Sequence, residues 1–388
     1  MQNASFPTLH SNIRVMAIVS ASLILSPPAA QAQTPYGWIS NTHTSAYTLA
    51  PGEMEITSRH ARVNDTLDIA DSRQKFLAST TRLGGKSGEY KSNELNLRIG
   101  LVNGLDVFYQ QGEQLLTLEI NPAAQLNLVN IEDKLRTNTT RYGLRWVVRE
   151  PTIKNPQQVW HSLAVELTGV QNKSKDFDGS IESVQLSSTL NIRFDPPQSF
   201  ALDRLRDDGW QAKIIYGMSL NQNTAINGWV TYAEMESSSG TSSQIDLEII
   251  AQAFSQSFQS KEKHAGFGFN LNWQRIPRMP VQIGYEFVQL FERKQSNLTS
   301  DSSLLPSFLR GNNLGQNVNN NHMAWLNVSW WATPNVYVSV GGKLFKNQFT
   351  GVIPHYLNPL SGRFAGTTYG YAEAKLGFRF NPSTAFRN

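Results

Sequence analysis

Arg141, Arg145 and Arg149 recur at every fourth position. On an extended strand such residues share one face, with ~13 Å from each to the next. This geometry suits an arginine ladder favouring anionic solutes in a pore. It equally suits ion pairing with Glu166 on the following segment, and the sequence leaves both open. Glu94, Arg98, Arg193, Lys213, Asp246, Glu248, Glu286, Glu373, Lys375 and Arg379 fall on the polar side of similar alternating segments. Charges of both signs on one face of many strands imply a wet or internally paired polar lumen. An Arg or Lys on a lipid-facing position would cost ~2–4 kcal/mol at midplane.

Catalytic arrangements are missing. There is no H-E-x-x-H and no G-x-S-x-G. His161 and Ser162 are neighbours on one strand, so they point to opposite faces and cannot act as base and nucleophile. His322 and His355 fall at or in long connections, where a lone His is expected to be solvated. His264-Ala265-Gly266-Phe267-Gly268 lies inside a strand pattern with no helix after it, which is not the setting of a phosphate loop. With no cysteine, thiolate metal sites, disulfides and a Cys nucleophile are excluded. No enzyme activity, cofactor or metal is expected.

The elements that carry these charges read as strands. In Glu94–Leu101, Leu95, Leu97, Ile99 and Leu101 oppose Glu94, Asn96, Arg98 and Gly100. The same period of two recurs at 141–149, 185–194, 245–249, 266–273 and 371–380. Segments at 52–63, 90–101, 105–120, 138–149, 159–171, 181–194, 209–220, 224–236, 243–258, 263–275, 280–293, 322–332, 335–349 and 366–380 give about fourteen strands, within a range of twelve to sixteen. The segment 73–84 is either a further strand or part of a long first loop.

Most of these segments exceed the ~5–6 residues typical of soluble strands and match the ~9–11 that a tilted membrane-crossing strand needs. Short links at 102–104, 276–278 and 332–335 alternate with long ones at 64–89, 121–137, 294–321 and 350–365, the pattern of a membrane barrel with short inner turns. Two links fit this order badly: Asn221-Gln222-Asn223 becomes a tight outer turn, and 195–208 a long inner connection. Trp160, Trp210, Trp273, Trp330, Trp331, Tyr369 and Phe380 sit at strand ends, as in interfacial girdles. The fold class expected is all-β: an antiparallel transmembrane β-barrel.

The N-terminus reads as a targeting segment. Arg14 precedes the apolar run Val15 to Leu25, and Ala30-Gln31-Ala32 is a cleavage signal. Residues 1–32 are expected to be removed, 33–51 to form a short periplasmic segment, 52–380 the barrel and 381–388 a tail. Residues 33–51 are too few for a folded plug, which disfavours energy-coupled uptake. Net charge is +4 with no basic block, so no nucleic-acid partner is expected.

Ala46-Tyr47-Thr48-Leu49-Ala50-Pro51-Gly52-Glu53 running into a strand, and Gly100-Leu101-Val102-Asn103-Gly104-Leu105-Asp106 between two strands, resemble the outer-membrane proteins of phenol meta-degradation pathways. Leu376-Gly377-Phe378-Arg379-Phe380 resembles the aromatic final strand recognised by the outer-membrane assembly machinery, although Asn381 to Asn388 follow it. The resemblance implies a transporter in the outer membrane of a Gram-negative cell, with membrane lipid, that assembly machinery and a small solute as partners. A passive pore or facilitator is therefore expected. The competing expectations are a non-conducting barrel serving as adhesin, scaffold or assembly accessory, an outer-membrane hydrolase, and a soluble periplasmic β-protein.

Overall fold

The computed structural model describes residues 46–63, 85–120, 126–129, 134–149, 161–185, 191–221, 223–243, 258–276, 278–296, 320–346 and 368–381. Fourteen strands are present among them. They are β1 (Met54–Val63), β2 (Gly85–Val102), β3 (Leu105–Ile120), β4 (Leu126–Val129), β5 (Lys134–Arg149), β6 (His161–Ser174) and β7 (Phe177–Gln185). β8 (Asn191–Asn221), β9 (Thr224–Ser243), β10 (Phe258–Ile276), β11 (Met279–Ser296), β12 (Asn320–Thr333), β13 (Val336–Lys346) and β14 (Thr368–Phe380) complete the set.

Twelve of the fourteen close a barrel. The antiparallel order runs β8-β6-β5-β3-β2-β1-β14-β13-β12-β11-β10-β9, and β9 returns to β8. β1 and β14 make the N- to C-terminal seam from Met54↔Phe380 to Arg62↔Ala372. Closure leaves no exposed edge within the barrel, which a membrane-spanning sheet requires.

The barrel thus has twelve strands where about fourteen were expected. The expected strand 181–194 is divided between the end of β7 and the start of β8. β4, β7 and the first part of β8 form a sheet that stands beyond the barrel. Asp195-Pro196-Pro197 does not end the strand. On β8, residues 194–197 face only Glu182 between the pairs Ile181↔Gln198 and Ser183↔Arg193. Prolines lack the ladder N–H and are tolerated at such an irregularity. The expected strand 243–258 falls almost wholly outside the described residues, as does 73–84; β9 ends at Ser243 and β10 begins at Phe258.

This count removes both misfits in the loop order. Asn221↔Thr224 closes a tight turn at the same end as Val102↔Leu105, Ile276↔Met279 and Thr333↔Val336. The former long connection 195–208 is part of β8. The tight turns define a short-turn end. At Gly104 the backbone sits at φ 77°, which glycine alone adopts without strain.

The alternation is inside-out relative to a soluble protein. Leu144, Leu167, Ile214, Val230, Phe267, Phe269, Ile283, Leu326, Val340 and Leu376 are exposed on the outer surface, whereas Asn96, Gln110, Thr168, Asn227, Asn270 and Ser339 are buried within. Trp146, Trp273 and Trp330 are exposed near the short-turn end. Trp210, Tyr232 and Phe291 pack in sequence near the other end, with ring centroids 5.5 and 6.1 Å apart. Trp331, expected in the girdle, turns inward instead. It lies 4.7 Å from the Tyr337 ring and under the Arg379 guanidinium, beside a register shift at Trp331/Thr333. Trp160 lies outside the described residues.

Candidate functional site: the lumen

The bore is lined by side chains from all twelve barrel strands, because each strand presents every second residue inward. Within it lies a cavity of about 290 Å³. One wall is built from charges. Arg59 on β1 is its hub: Nη2 donates to Glu94 Oε2 at 2.7 Å, and Nη1 to Glu373 Oε2 at 3.1 Å and to the Tyr371 hydroxyl at 3.0 Å. Lys375 Nζ holds the second oxygen of Glu373 at 2.8 Å. These residues meet because Arg59 is the register partner of both Glu94 and Lys375.

Closer to the short-turn end, Arg145 Nε donates to Glu166 Oε2 at 3.0 Å, and Lys213 stands 3.8 Å from Glu166 Oε1. The pairs Arg145↔Glu166 and Glu166↔Lys213 place all three side by side on β5, β6 and β8. Lys213 also lies 5.9 Å from the Trp229 ring. Arg379 faces Glu53 at 3.6 Å and Glu55 at 3.8 Å, and Glu55 accepts from the Tyr337 hydroxyl at 3.0 Å. The opposite wall is mostly neutral, with Glu286 on β11 its charge within the cavity lining. Asn227, Asn270, Asn272 and Gln282 link β9, β10 and β11 in a chain of amide hydrogen bonds of 2.7 to 3.1 Å.

Of the residues singled out in the sequence, Glu94, Arg98, Arg141, Arg145, Glu166, Lys213, Glu286, Glu373, Lys375 and Arg379 are on the lumen side. Arg149 is exposed at the short-turn end, past a register shift between Val147 and Arg149, so the spaced arginines do not form a three-step ladder. Arg193 belongs to the sheet beyond the barrel, where it donates to Glu182 Oε1 at 3.0 Å. Asp246, Glu248 and His355 lie outside the described residues. His322 is on the outer surface, 2.7 Å from the Tyr285 hydroxyl, and among the described residues no cluster suited to a metal ion occurs.

Sequence reasoning passed over Glu55, Arg59, Asp106 and Lys343. Their signal was present in the alternation: Tyr337, Ser339, Gly341 and Lys343 oppose Val338, Val340, Gly342 and Leu344.

The short-turn end of the bore is narrowed by the chain itself. Residues 46–52 run into the barrel mouth before β1 begins. Leu49 N donates to Asp106 Oδ2 at 3.2 Å, and Arg98 Nη2 to the Tyr47 carbonyl at 2.6 Å. Arg98 Nε holds the same Asp106 oxygen at 2.7 Å. Gly52 N and Gly100 N exchange backbone hydrogen bonds with Gly100 O and Glu53 O. A Cβ on Gly100 would run into the Ala50 carbonyl and stand 2.8 Å from that of Leu49, so this approach requires glycine. Ala46 is fully buried in an apolar cluster with Val147, Ala164, Ile215, Trp229 and Trp325, drawn from β5, β6, β8, β9 and β12. The segment therefore runs from Arg98 and Asp106 on β2 and β3 to Ala46 beside Gly217 on β8, and the cluster reaches β12 through the Trp229 and Trp325 rings, 6.0 Å apart.

A closed barrel with apolar side chains outside, aromatics at both rims and a polar interior is an outer-membrane β-barrel. In such barrels the short turns and termini face the periplasm and the long loops the exterior. No family model matches the chain, and no curated protein matches it either. Among solved structures, the translocator domain of the autotransporter NalP from Neisseria meningitidis is similar at 8% identity and a TM-score of 0.46, covering 96% of each chain. The Ralstonia pickettii toluene transporter TbuX gives 8% identity and a TM-score of 0.45 over 86% of this chain and 90% of its own. The outer membrane channel COG4313 from Pseudomonas putida F1 gives 10% and 0.43 over 86% and 98%. At these values the membrane assignment rests on the barrel geometry described above.

Proposed function

We propose that the chain is a narrow outer-membrane channel or facilitator for small solutes, restricted at its periplasmic mouth by residues 46–52. The observation that carries this reading is the polar cavity of about 290 Å³ enclosed by a barrel whose outside is apolar. A lumen serving only as structure would be expected to fill with paired side chains, whereas here a solute-sized space is kept. Proteoliposome flux tests it. Vesicles carrying the refolded chain should swell in small solutes and exclude larger ones. Folded barrels giving no flux above empty vesicles would refute it.

A second reading, a non-conducting barrel that presents its outer sheet and loops to a partner, is favoured by the apolar closure around Ala46. The two differ in whether displacing that segment opens a path.

A further inference from the structure

Most lumen charges are matched by a neighbour, and the exceptions are informative. Arg141 on β5 and Lys343 on β13 line the cavity, yet neither makes a hydrogen bond or close ion pair among the described residues. Arg141 Nε is buried with no partner. Five steps around the twelve-strand ring separate β5 from β13, so the two cations come from nearly opposite walls. The Lys343 charge acts most strongly on Glu373, which offsets part of it without pairing with it, then on Arg59 and Glu94, and least on Arg141 from the far wall. Two like charges facing one enclosed space raise each other's energy, and an anion between them lowers both.

Apolar surface accompanies each cation. Lys343 is the register partner of Trp325, and Met323 lies two residues along the same inward face. Phe108 also lines the cavity, diagonally next to Arg141 across the β3–β5 ladder. The volume of about 290 Å³ lies just below the ~300–1,000 Å³ range of ligand pockets, which suits a small solute.

We propose that Arg141 and Lys343 form a mid-lumen binding site for a small organic anion with an apolar body, of the size of an aromatic monocarboxylate. The site rests on the channel reading, since solute must reach the lumen. Glu286 on β11, also without an ion pair among the described residues, lies one inward position from Trp325's partner Gly284, toward the outer mouth. It is the register partner of Met323 and lines the same cavity, where its charge opposes a bound anion.

The test is binding of benzoate to the full refolded chain in detergent, followed by calorimetry, with benzamide as the uncharged probe of similar shape. Benzoate should bind and benzamide should bind at least tenfold more weakly. R141Q and K343Q should each weaken benzoate tenfold or more and leave benzamide unchanged, while E286Q should leave benzoate binding equal or tighter. Heat-modifiable gel mobility confirms that each variant is folded; if one is not, the other variant and competition by chloride against benzoate on the parent chain decide the matter. Equal binding of the two probes, or benzoate binding unaffected by both variants, overturns the site. A chain that conducts but fails this test loses the site and keeps the channel; one that binds benzoate but passes no solute loses the channel.

Discussion

Asp106→Asn should release the segment that narrows the periplasmic mouth. Asp106 is fully buried and accepts from both Arg98 and Leu49. Docking of residues 46–52 buries Leu49 and Ala46. A buried Leu is worth ~1.5–3 kcal/mol, and each net hydrogen bond ~1 kcal/mol. With the Leu49 and Tyr47 hydrogen bonds included, docking stabilises by about 4 kcal/mol, and the open form is then on the order of one molecule in a thousand. Neutralising Asp106 removes the charged acceptor and leaves Arg98 without its carboxylate. A loss of about 2 kcal/mol raises the open population roughly 30-fold. The chain contains no cysteine, so Ala46→Cys gives a unique label at a fully buried position and leaves the Leu49 side chain in place. Maleimide should react with Cys at 46 roughly 30 times faster in the Asp106→Asn background than without it. Equal rates, or rapid labelling in both, would refute the docking energetics.

Three further outcomes follow from the same geometry. Gly100→Ala should displace the segment sterically and raise labelling of Ala46→Cys with Asp106 intact, because the added Cβ meets the Ala50 carbonyl. Val230→Arg, on the lipid-facing side between Ile214 and Phe267, should cost ~2–4 kcal/mol in urea-titrated folding into vesicles; Gln211→Arg, on the cavity wall, should cost less than half as much. Glu166→Gln strands the buried Arg145 and Lys213 and should destabilise by about 3 kcal/mol, the low end for a broken buried pair because the lumen is partly wet. Combining it with Arg145→Gln should restore more than half of that loss in the same titration.

How much of this was legible in the sequence depends on the property. The side of the wall to which Glu94 or Lys213 points is a matter of strand parity, and a period of two carries it directly. Arg149 departs because a register shift at Val147/Arg149 breaks the parity that Arg141 and Arg145 share. The strand number was harder to read. Alternation is the same in a strand that crosses lipid and in one that stands in water, so 181–194 could not be distinguished from a crossing strand. Asp195-Pro196-Pro197 looked like a break, although the irregularity in the β7–β8 pairing accommodates it.

Docking of residues 46–52 was hidden for a different reason. The segment has no period, and its place is fixed by Asp106 and Gly100, more than fifty residues away in sequence for the Leu49 contact. Arg59 joins residues separated by 35 and 314 positions, a meeting that only barrel closure brings about.

The most direct test is the single-channel current of the full chain in a planar lipid bilayer, recorded with and without Asp106→Asn. The account predicts small stepwise openings for the parent chain and larger or more frequent ones for the variant. Folded barrels that stay electrically silent in both forms would contradict it and leave the non-conducting scaffold as the reading that stands.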